Sequence, residues 1–447
     1  MKTVIIGAGN AGKNLVGKLC EMGHDVVVID KDAGVLDELA QHHDVMTLVG
    51  HGADPTILEN DIIGNIDLLA AVTNNDEVNF LACCWAKTAG AGHTIARLSD
   101  TKFLHSSLVD TEKLGVDRPM VHKGECAKEI FDVLYMPGTL EVTSLLDGKI
   151  AAIGLKLPDN TPLIGKSLKE FRADKWFGKV RFIGLVKQGK LTIPDGDSCP
   201  EPGDEIYIVL PAGETHQFLD WIRGGRRKAF KKVVIAGGGE LGLQLAGLLE
   251  ETSMETVLID RHRGRAEDVS QTLKKCLVIN ADAAEATTLI ELGIGSDTAF
   301  AAVTGDDEMN IVCCIQAKQL GADFTMARID RSEYVPILDN LKLVDRVVSP
   351  NISLGKAILQ YVRGEIVEGV GLFHHIIGEI QEVVIKAGSR RVGATISELK
   401  LPPNSIVAAV QRGEQAFVPT GDFMLNQGDR LAIYCLPETA EKINSAF

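Results

Sequence analysis

The chain repeats itself at a nearly fixed distance. Residues 4–12 read VIIGAGNAG, and residues 234–242, which lie 230 positions later, read VIAGGGELG. Residues 72–79 (VTNNDEVN) recur as residues 303–310 (VTGDDEMN), now 231 positions later. A repeat of this length indicates two copies of one domain rather than a solenoid of short units. The duplication therefore predicts that each half of the chain folds into the same structural unit.

The composition is that of a globular protein and argues against two classes of partner. Of the 447 residues, 45% are hydrophobic and 24% are charged. The net charge of −15 and the aromatic content of 5% argue against nucleic acid and anionic membrane surfaces. The basic run at 223–232 (RGGRRKAFKK) is expected to be a solvated linker. No window approaches the ~20 apolar residues that cross a bilayer. The start MKTVIIGAG lacks the features of a signal peptide, so a cytoplasmic location is predicted.

Short apolar runs alternate with helical patterns in both copies. Strands are predicted in the first copy at 2–6, 26–30, 45–50, 68–73 and 94–98, with helices at 12–22 and 32–42. The same series of strands is predicted in the second copy at 232–235, 256–260, 276–279, 299–304 and 325–329. Continuous apolar strands that alternate with helices indicate a parallel sheet covered on both faces.

A different pattern follows each of these units. Short strands and Gly/Pro turns fill 139–210 and again 366–436, and the turn PDGD at 194–197 matches PTGD at 419–422. The predicted fold class is therefore α/β, with two tandem Rossmann-like parallel-sheet domains, each followed by a small α+β domain. The predicted boundaries are 1–137, 138–224, a basic linker at 225–231, 232–365 and 366–447.

The loop GAGNAG at 7–12 follows a strand and opens a helix, and an acid, Asp30, ends the second strand. In such a loop the first glycine permits a tight turn and the second lets the backbone approach a pyrophosphate. The third lets the helix pack closely on the strand. The helix N-terminus attracts phosphates, while Asp30 would accept hydrogen bonds from ribose hydroxyls and repel a 2′-phosphate. The first predicted nucleotide site comprises Gly7, Gly9, Asn10, Ala11, Gly12, Asp30, Lys31, Asp54, Thr73, Asn74 and Arg97.

The second copy keeps the glycine pattern, and its aspartate, Asp260, follows the last glycine at the same distance as Asp30 does in the first copy. The second predicted site comprises Gly237, Gly239, Glu240, Leu241, Gly242, Asp260, Arg261, Asp282, Thr304, Gly305 and Arg328. Glu240 is unfavourable beside a phosphate; nearby basic residues (Arg261, His262, Arg263 and Arg265) would offset it if they face the pocket, or else lie on the solvated surface. The alternative for both loops is a Rossmann fold whose glycines serve packing alone.

Polar residues at the predicted strand ends also recur: Thr73, Asp76, Glu77 and Asn79 match Thr304, Asp307, Glu308 and Asn310. Arg97 and Arg328 close the fifth strands, where each would bind phosphates bidentately or form an ion pair with the acidic turn. Asp54 and Asp282 follow the third strands, where each would contact adenosine or cap the next helix.

Groups that would act chemically on a nucleotide are not evident. No histidine recurs in both glycine-bearing units near a predicted strand end, and there is no Walker loop. The nine cysteines show no metal-ligand spacing, so no metal site is predicted. Cys83, Cys84, Cys313 and Cys314 lie in apolar helical stretches and are expected in the core.

Taken together, GAGNAG, VVVID, VTNNDEVN and IAR, followed by the small module and repeated in tandem, resemble the Trk-type potassium uptake regulatory subunits, which are built from RCK domains. The resemblance covers essentially the whole chain. It implies RCK C-type modules after each Rossmann unit. It further implies NAD/NADH or, as the alternative, ATP/ADP in the Rossmann clefts, with the glycine loops, Asp30, Asp260, Arg97 and Arg328 as matching residues. Asn10 and Glu240 occupy the place of an ATP-binding arginine found in some relatives, so ATP is the less expected ligand, especially in the second site.

The resemblance also implies partners and a mechanism. The partners would be a potassium-translocating, TrkH-like membrane subunit and further copies of the chain, in a tetrameric ring peripheral to the inner face of the cell membrane. Ligand binding would shift the ring between two arrangements and so control potassium flux, without catalysis. The rival hypotheses are an NAD-dependent oxidoreductase and a scaffold with vestigial clefts.

Overall fold

A computed structural model describes residues 1–60, 63–99, 102–105, 110–224, 230–331, 334–362, 370–371, 378–386, 388–389, 391–436, 439 and 442–443. Residues 225–229 of the expected basic linker lie outside this part, as do several stretches of the domain predicted at 366–447. The chain forms two compact units. One contains Met1–Leu134 and Phe230–Leu359, and the other contains Tyr135–Ala229 and Gln360–Phe447. Like domains therefore associate: the glycine-bearing copies form one unit and the small modules form the other.

The first glycine-bearing domain has the Rossmann topology. Its elements are β1 (Lys2–Ile6), α1 (Asn10–Glu21), β2 (Asp25–Asp30), α2 (Ala33–His42), β3 (Met46–Val49), β4 (Leu68–Ala71), α3 (Asp76–Thr88), β5 (His93–Leu98), α4 (Lys102–His105), β6 (Arg118–Val121) and α5 (His122–Tyr135), with a short 3-10 helix at Pro55–Glu59. The six strands are parallel in the order β3-β2-β1-β4-β5-β6. The strand order reverses between β1 and β4, and ligands bind such sheets at the carboxyl ends of these strands.

The first small module is an antiparallel sheet with one helix. It contains β7 (Thr139–Leu145), β8 (Ile150–Lys156), β9 (Arg181–Lys187), β10 (Lys190–Thr192), β11 (Glu205–Pro211) and α6 (Thr215–Ile222). The strand order is β10-β9-β11-β8-β7.

The second Rossmann domain repeats the first. Its elements are β12 (Lys232–Ala236), α7 (Glu240–Leu249), β13 (Glu255–Asp260), α8 (Arg263–Thr272), β14 (Leu277–Asn280), α9 (Ala286–Glu291), β15 (Thr298–Ala302), α10 (Asp307–Gln319), β16 (Phe324–Arg328), α11 (Tyr334–Leu341), β17 (Arg346–Val348) and α12 (Pro350–Tyr361). The parallel order β14-β13-β12-β15-β16-β17 matches that of the first sheet.

The second small module contains β18 (Val370–Gly371), β19 (Glu379–Val384), β20 (Ser405–Arg412), β21 (Gln415–Phe417) and β22 (Arg430–Cys435). Its order, β18-β19-β22-β20-β21, is that of the first module read from the other edge. The predicted fold class is thus confirmed in both copies.

Strand register locates the single-position difference between the repeats. Val27 pairs with Met46 in the first sheet. Val257 matches Val27 at the 230-position spacing of the glycine loops, and it pairs with Leu277. Leu277 lies 231 positions after Met46, one more than that spacing. The helices α2 and α8 have the same length and still keep the offset of the glycine loops. The extra residue therefore lies in the loop before β14, away from the glycine turns.

The sequence did not predict the sixth strands, β6 and β17, or the helices that follow them. These strands have four and three residues. The helix α5 packs on the second Rossmann domain, because its buried face shares one core with β12 and α7. That face consists of Cys126, Ala127, Ile130 and Leu134, and it lies against Phe230, Val233, Ile235, Leu241, Leu245, Ala246 and Leu249.

The helix α12 contacts the first Rossmann domain in a matching way. A methyl group at Gly355 would lie 3.0 Å from Oδ1 of Asn14 in α1, and one at Gly124 would lie 3.1 Å from Oε1 of Gln244 in α7. The two final helices also contact each other, since Glu129 of α5 accepts hydrogen bonds from Ser353 (2.5 Å) and Lys356 (2.6 Å) of α12. Each copy is therefore completed by the other.

The two small modules also share one core. Tyr207 and Val209 of β11 lie in the same buried cluster as Ala409 of β20 and Tyr434 of β22. Each tyrosine ring lies where a glycine leaves room, because a methyl group at Gly154 would lie 2.6 Å from the ring of Tyr207. The arrangement is repeated by Gly378 and Tyr434.

The cysteines of α3 and α10 are mostly core residues. Cys83 and Cys314 are buried and donate to strand carbonyls, of Ile95 at 3.3 Å and Met326 at 3.1 Å respectively. Burial raises the pKa of both thiols. These two contacts show that Cys83 matches Cys314, so the two cysteine pairs are displaced by one residue. Cys84 is only half-buried, which corrects the expectation that it lies in the core.

Candidate functional site

Two glycines of each loop are required by the fold itself. Gly7 has φ of +105° and Gly237 has φ of +113°, a region that favours glycine. A methyl group at Gly12 would lie 1.9 Å from the carbonyl oxygen of Gly7, and one at Gly242 would lie 1.9 Å from that of Gly237. These glycines therefore serve the turn and the close approach of helix to strand, whether or not a ligand binds.

The middle glycine of each loop is different. Gly9 and Gly239 have φ of −69° and −68°, which any residue adopts, and a methyl group at either would meet no atom within 4 Å. Both glycines precede the first residues of α1 and α7, and neither helix has a side-chain cap. Side chains cap α2, α3 and α10, whereas α6, α8 and α9 also lack a side-chain cap. What distinguishes α1 and α7 is the open space over the glycine at the start of each helix.

Asp30 ties the first glycine loop to the end of β2. Its Oδ2 accepts a hydrogen bond from the backbone N–H of Ala8 at 2.6 Å, and its Oδ1 accepts one from the N–H of Asp32 at 3.0 Å. A carboxylate has about four lone-pair sites, so Asp30 retains capacity for further donors.

Asp260 occupies the same place in the second copy but has an additional partner. Its oxygens accept hydrogen bonds from the N–H groups of Gly238 and His262, each at 2.8 Å. Arg265 also donates to Oδ2 at 3.3 Å, and the Asp260 side chain is 4% exposed. The carboxylate of the second copy is therefore more buried and already paired with a cation.

Asn79 and Asn310 join two neighbouring strands by hydrogen bonds at the carboxyl edge of each sheet, where the clefts lie. Oδ1 of Asn79 accepts from the N–H of Thr73 at 3.0 Å and from its hydroxyl at 2.7 Å, while Nδ2 donates to the carbonyls of Thr73 and Arg97. Asn310 makes the same four bonds to Thr304 and Arg328. Since the Thr73 N–H bonds this side chain, β4 ends at Ala71, two residues before the predicted end.

The acids of the turns are also used by the backbone. Asp76 accepts hydrogen bonds from the N–H of Ser99 at 2.9 and 3.0 Å, and Asp307 accepts from the N–H of Asp330 at 2.9 Å. The recurrence of Asp76 and Asn79 in both copies therefore has a structural explanation.

The first cleft has a volume of about 690 Å³ and opens at the carboxyl edge of the first sheet. It brings together eight of the predicted residues: Gly7, Gly9, Asn10, Asp30, Lys31, Thr73, Asn74 and Arg97. Ala11 and Gly12 do not line it, and both are buried. Residues of the second Rossmann domain, namely Arg328, Asp330, Pro350 and Asn351, complete its wall.

The second cleft is about half as large, at 340 Å³. The predicted residues that line it are Gly237, Gly239, Glu240, Leu241, Asp260, Arg261, Asp282, Thr304, Gly305 and Arg328, whereas Gly242 does not. Lys123 of the first Rossmann domain contributes to its wall.

The aspartates after the third strands differ between the copies. Asp54 does not line the first cleft; it accepts from the N–H and hydroxyl of Thr56 at 3.0 and 2.8 Å and caps the short 3-10 helix. Asp282 accepts from the N–H of Ala284 at 2.9 Å and also lines the second cleft.

Arg97 and Arg328 have different partners. Nη1 of Arg97 donates to Oδ1 of Asn74 at 2.8 Å, and burial lowers the pKa of the Arg97 guanidinium. Arg328 donates through Nε to Oδ1 of Asp330 at 3.0 Å and through Nη2 to Oδ2, while its Nη1 donates to the carbonyl of Thr304 at 3.2 Å. The ion pair expected as the alternative thus forms only at Arg328, with Asp330 rather than with the acidic turn.

The charge of Glu240 is balanced by a residue that sequence reasoning did not propose. Lys123 of α5 donates to its Oε2 at 2.9 Å. Of the basic residues proposed for this role, Arg261, His262 and Arg265 line the second cleft and Arg263 does not. Arg265 pairs with Asp260, and Arg263 pairs with Glu267. The exchange of final helices places Lys123 there, and no local pattern in the sequence indicates it.

His122 is a second cleft residue that the sequence did not indicate. It lines the first cleft with His51, is 8% exposed and donates from Nδ1 to the carbonyl of Leu98 at 3.1 Å. Burial, with the nearby Arg97, lowers its pKa to about 4, so the ring is neutral at pH 7. The position follows the unpredicted strand β6, which explains why it was missed.

Fold and clefts together define a class: a tandem Rossmann protein of the RCK type with a dinucleotide-type glycine loop in each copy. Residues 3–120 and 233–350 match the TrkA-N domain, and residues 153–223 and 380–447 match the TrkA-C domain. The chain belongs to the TrkA family of Trk system potassium uptake proteins, which confirms the resemblance seen in the sequence.

Relatives resemble the chain over its full length. It is 31% identical to Trk system potassium uptake protein TrkA homolog 1 of Methanosarcina mazei, over 100% of both chains. It is 30% identical to Trk system potassium uptake protein TrkA of Haemophilus influenzae, over 97% of this chain and 95% of the relative.

Solved structures share the fold at lower identity. The GsuK channel bound to NAD has a TM-score of 0.62 at 20% identity and covers 100% of this chain and 78% of that chain. The GsuK RCK domain has a TM-score of 0.60 at 20% identity, over 100% of this chain and 94% of that chain. Within the part of the chain that the structure describes, no helix has the length and apolar character needed to span a membrane.

Proposed function

We propose that this protein is a nucleotide-sensing regulatory subunit of a Trk-type potassium uptake system. In this proposal its clefts bind NAD(H) and adenine nucleotides, and occupancy controls potassium flux through a TrkH-like membrane subunit. The subunit acts as a tetrameric ring, peripheral on the inner face of the cell membrane, and performs no catalysis. Family membership supports the potassium-transport role, and the clefts support the role of a nucleotide.

The open space over Gly9 and Gly239 carries the proposal. Neither backbone conformation nor packing requires glycine at these positions, whereas both explain the other loop glycines. A glycine that neither backbone conformation nor packing requires is expected where a phosphate approaches the backbone at a helix N-terminus. This observation disfavours a scaffold whose glycines serve packing alone.

The two clefts favour different ligands. The first is large enough for a dinucleotide, and its Asp30 would accept from a ribose diol and disfavour a 2′-phosphate, so NAD(H) is proposed there. The second has half the volume, and its Asp260 is paired with Arg265. It is proposed to take the smaller ADP or ATP, because Lys123 offsets the acid in its glycine loop.

Exposed apolar side chains support the proposed assembly. Leu81 of α3 and Val312 of α10, at matching positions of the two copies, are 42% and 45% exposed. Ile337 and Leu341 of α11 are also exposed. The mass of the purified protein, measured by native mass spectrometry, tests the proposed tetramer.

The function is tested by calorimetric and thermal-shift titrations with NAD, NADH, ATP, ADP and AMP. Saturable binding is expected, and a ligand at about 100 times its Kd stabilises the folded state by ~2.7 kcal/mol. Gly9→Ala should weaken binding in the first cleft and Gly239→Ala in the second. Gly247→Ala in α7, where a methyl group also meets no atom within 4 Å, is the matched control and should leave binding unchanged.

Absence of saturable binding by all five nucleotides would overturn the nucleotide-sensing function. The transport role has its own test, namely potassium uptake by cells that carry the wild-type protein or the double variant Gly9→Ala/Gly239→Ala. Uptake should respond to nucleotide levels only with the wild type. An equal response with both proteins would contradict control through the clefts.

The presence of His122 in the first cleft gives the oxidoreductase alternative one candidate proton-transfer group. Its Nδ1 is held by the Leu98 carbonyl, which leaves Nε2 as an acceptor. Steady consumption of NADH with a small metabolite, lost in His122→Gln, would support that alternative.

A further inference from the structure

Arg328 is a wall residue of both clefts. It closes β16 and lines the second cleft, and it also lines the first cleft beside Asp330. Arg97, at the matching position of the first Rossmann domain, lines the first cleft and is not among the residues that line the second. The relation between the clefts is therefore unsymmetrical, with one guanidinium available to two sites.

The resting partners of Arg328 belong to different clefts. Nε and Nη2 donate to Asp330, which lines the first cleft, and Nη1 donates to the carbonyl of Thr304, which lines the second. The side chain is 15% exposed, and these hydrogen bonds define its resting position. Ser99 stands in the first copy where the second has Asp330, and Arg97 therefore lacks a carboxylate partner of this kind.

Positive charge surrounds this position. Lys123 lines the second cleft, and Arg97, Lys123 and Arg328 all lie close enough to His122 to lower its pKa, after the larger effect of burial. Two of these cations are paired with carboxylates, Arg328 with Asp330 and Lys123 with Glu240, while Asp76 and Asp330 both lie close enough to Arg97 to favour its charged form. An anion that enters either cleft would compete with these carboxylates for the cations.

We propose that Arg328 binds the phosphate groups of a nucleotide in either cleft, but in only one at a time, so that filling one cleft weakens binding in the other. The inference rests on the proposed function, since it assumes that both clefts take phosphate-bearing ligands. The planar guanidinium forms a bidentate bond to one phosphate group and cannot orient its fork toward two sites together. A ligand in the first cleft draws Arg328 away from Thr304, and the second cleft loses a cation.

The effect must be reciprocal, because binding free energies are linked. A ligand in the second cleft weakens the first by the same factor. Couplings between sites are typically ~5–150-fold, and sharing one charge-assisted contact is expected to give roughly tenfold.

The test is an additivity experiment on the full chain by calorimetry. ADP is the probe because it carries the phosphates and the ribose that both glycine loops are proposed to bind, although the first cleft is proposed to favour NAD(H). Gly239→Ala reports the first cleft alone and Gly9→Ala reports the second alone. If the clefts are independent, the wild-type isotherm equals the sum of the two single-cleft isotherms. We expect instead that the second ADP binds wild type about tenfold more weakly than it binds the corresponding single-cleft variant.

Arg328→Ala, combined with each single-cleft variant, should weaken both clefts and restore additivity. Arg97→Ala is the matched control, because Arg97 lines only the first cleft; it should weaken that cleft and leave the departure from additivity in place. Asp330→Asn removes the resting partner and should tighten ADP binding. A purely structural role for the Arg328–Asp330 pair would not produce tighter binding, so this variant keeps the test decisive if Arg328→Ala unfolds.

The outcomes separate the two proposals. Failure of both ADP and NADH to bind would overturn the proposed function. Two ADP sites whose isotherms simply add would overturn only the sharing of Arg328. Equal loss of coupling between the clefts in Arg97→Ala and Arg328→Ala would also overturn the sharing of Arg328. Unchanged or weaker ADP binding by Asp330→Asn would overturn it too.

Discussion

His122 lies buried in the wall of the first cleft, and its environment favours the neutral ring. Burial removes water that would solvate a charged imidazolium, and the nearby Arg97 guanidinium repels a second positive charge. Together they lower the pKa from 6.5 to about 4. The hydrogen bond from Nδ1 to Leu98 opposes this shift, since a charged ring would donate more strongly. Burial nevertheless dominates.

The shift predicts a pH dependence of stability. As the pH falls below 6.5, the unfolded state binds the His122 proton while the folded state does not until about pH 4. The free energy of unfolding should therefore decrease over this window by up to about 3 kcal/mol. Denaturant unfolding at pH 7, 5.5 and 4.5 should show this loss in wild type and a smaller loss in His122→Gln.

The difference between the two proteins is the quantity to compare, because other groups titrate in the same window. Burial and Glu129 raise the pKa of Asp132 to about 6. That shift has the opposite sign, so it adds stability as the pH falls, equally in both proteins. Identical pH profiles for wild type and His122→Gln would contradict the assignment.

At the residue scale, the sequence predicted the residues of the glycine loops better than the other residues that line the clefts. Asp30 and Asn10 follow from a local motif, because the loop and the end of β2 meet in every sheet of this topology. His122 and Lys123 reach the clefts only through an unpredicted strand and an exchanged helix. The role of Asp54 did not follow from the sequence, because an aspartate after a strand can cap the next helix or contact a ligand. Its hydrogen bonds to Thr56 show that it caps the short helix. The ligand-binding roles themselves stay predictions.

At the scale of elements, one buried side chain joins neighbouring strands in each copy. Asn79 is 0% exposed and connects the end of β4 to the end of β5 through four hydrogen bonds. The carboxyl edge of the sheet is where the strand order reverses, so the backbone there has no ladder partner for Thr73. The asparagine amide supplies that partner.

Replacement of Asn79 by alanine should therefore destabilise the first Rossmann domain strongly. It removes the hydrogen bonds of this side chain from the partly buried Thr73 N–H and Arg97 carbonyl, each at a cost of ~1–3 kcal/mol. We expect a loss of about 2–4 kcal/mol in denaturant unfolding, and a similar loss for Asn310→Ala.

Asn75→Ala provides the control for that experiment. Asn75 caps α3 through the N–H of Val78 at 2.8 Å and lies nearer the surface. Its loss should cost about 1 kcal/mol. Equal effects of Asn75→Ala and Asn79→Ala would show that the four-bond arrangement adds nothing beyond a helix cap.

The elements that sequence reasoning found are the long apolar ones. Strands such as β2 and β13 are continuous apolar runs that are buried in the sheet, and this pattern predicts a buried strand. The short β6 begins with Arg118 and Pro119, and β17 has three residues. Neither is long enough or apolar enough to show the hydrophobic pattern of a strand. Their place in the sheet is decided by pairing with β5 and β16, which only the folded chain supplies. The predicted domain borders stay predictions.

At the scale of the Rossmann pair, the final helices carry the association. Ile130 and Leu134 of α5 are almost fully buried in the core of the second copy. Burial of such a side chain contributes ~1.5–3 kcal/mol. Glu129 and Lys356 add an ion pair at 2.6 Å between α5 and α12, with 20% and 34% of their side chains exposed.

Reversal of this ion pair tests its contribution. Glu129→Lys should place two cations together and Lys356→Glu two anions, and each should lower the unfolding midpoint in urea. The double variant should recover much of the loss, with a coupling energy of about 1–3 kcal/mol from the double-mutant cycle. Additive effects of the two changes would show that the pair does not contribute.

The exchange of the final helices has a consequence for how such a chain evolves. A substitution in α5 alters the packing of α7, which lies far along the chain in the other copy, while the Rossmann domain that α5 follows in sequence is less affected. We therefore expect that substitutions in the shared core of one half are constrained by the other half. In aligned relatives, positions 126, 127, 130 and 134 should co-vary with 241, 245 and 249. Such a constraint would preserve the shared core and leave the clefts free to differ, as they do where Ser99 of the first copy matches Asp330 of the second.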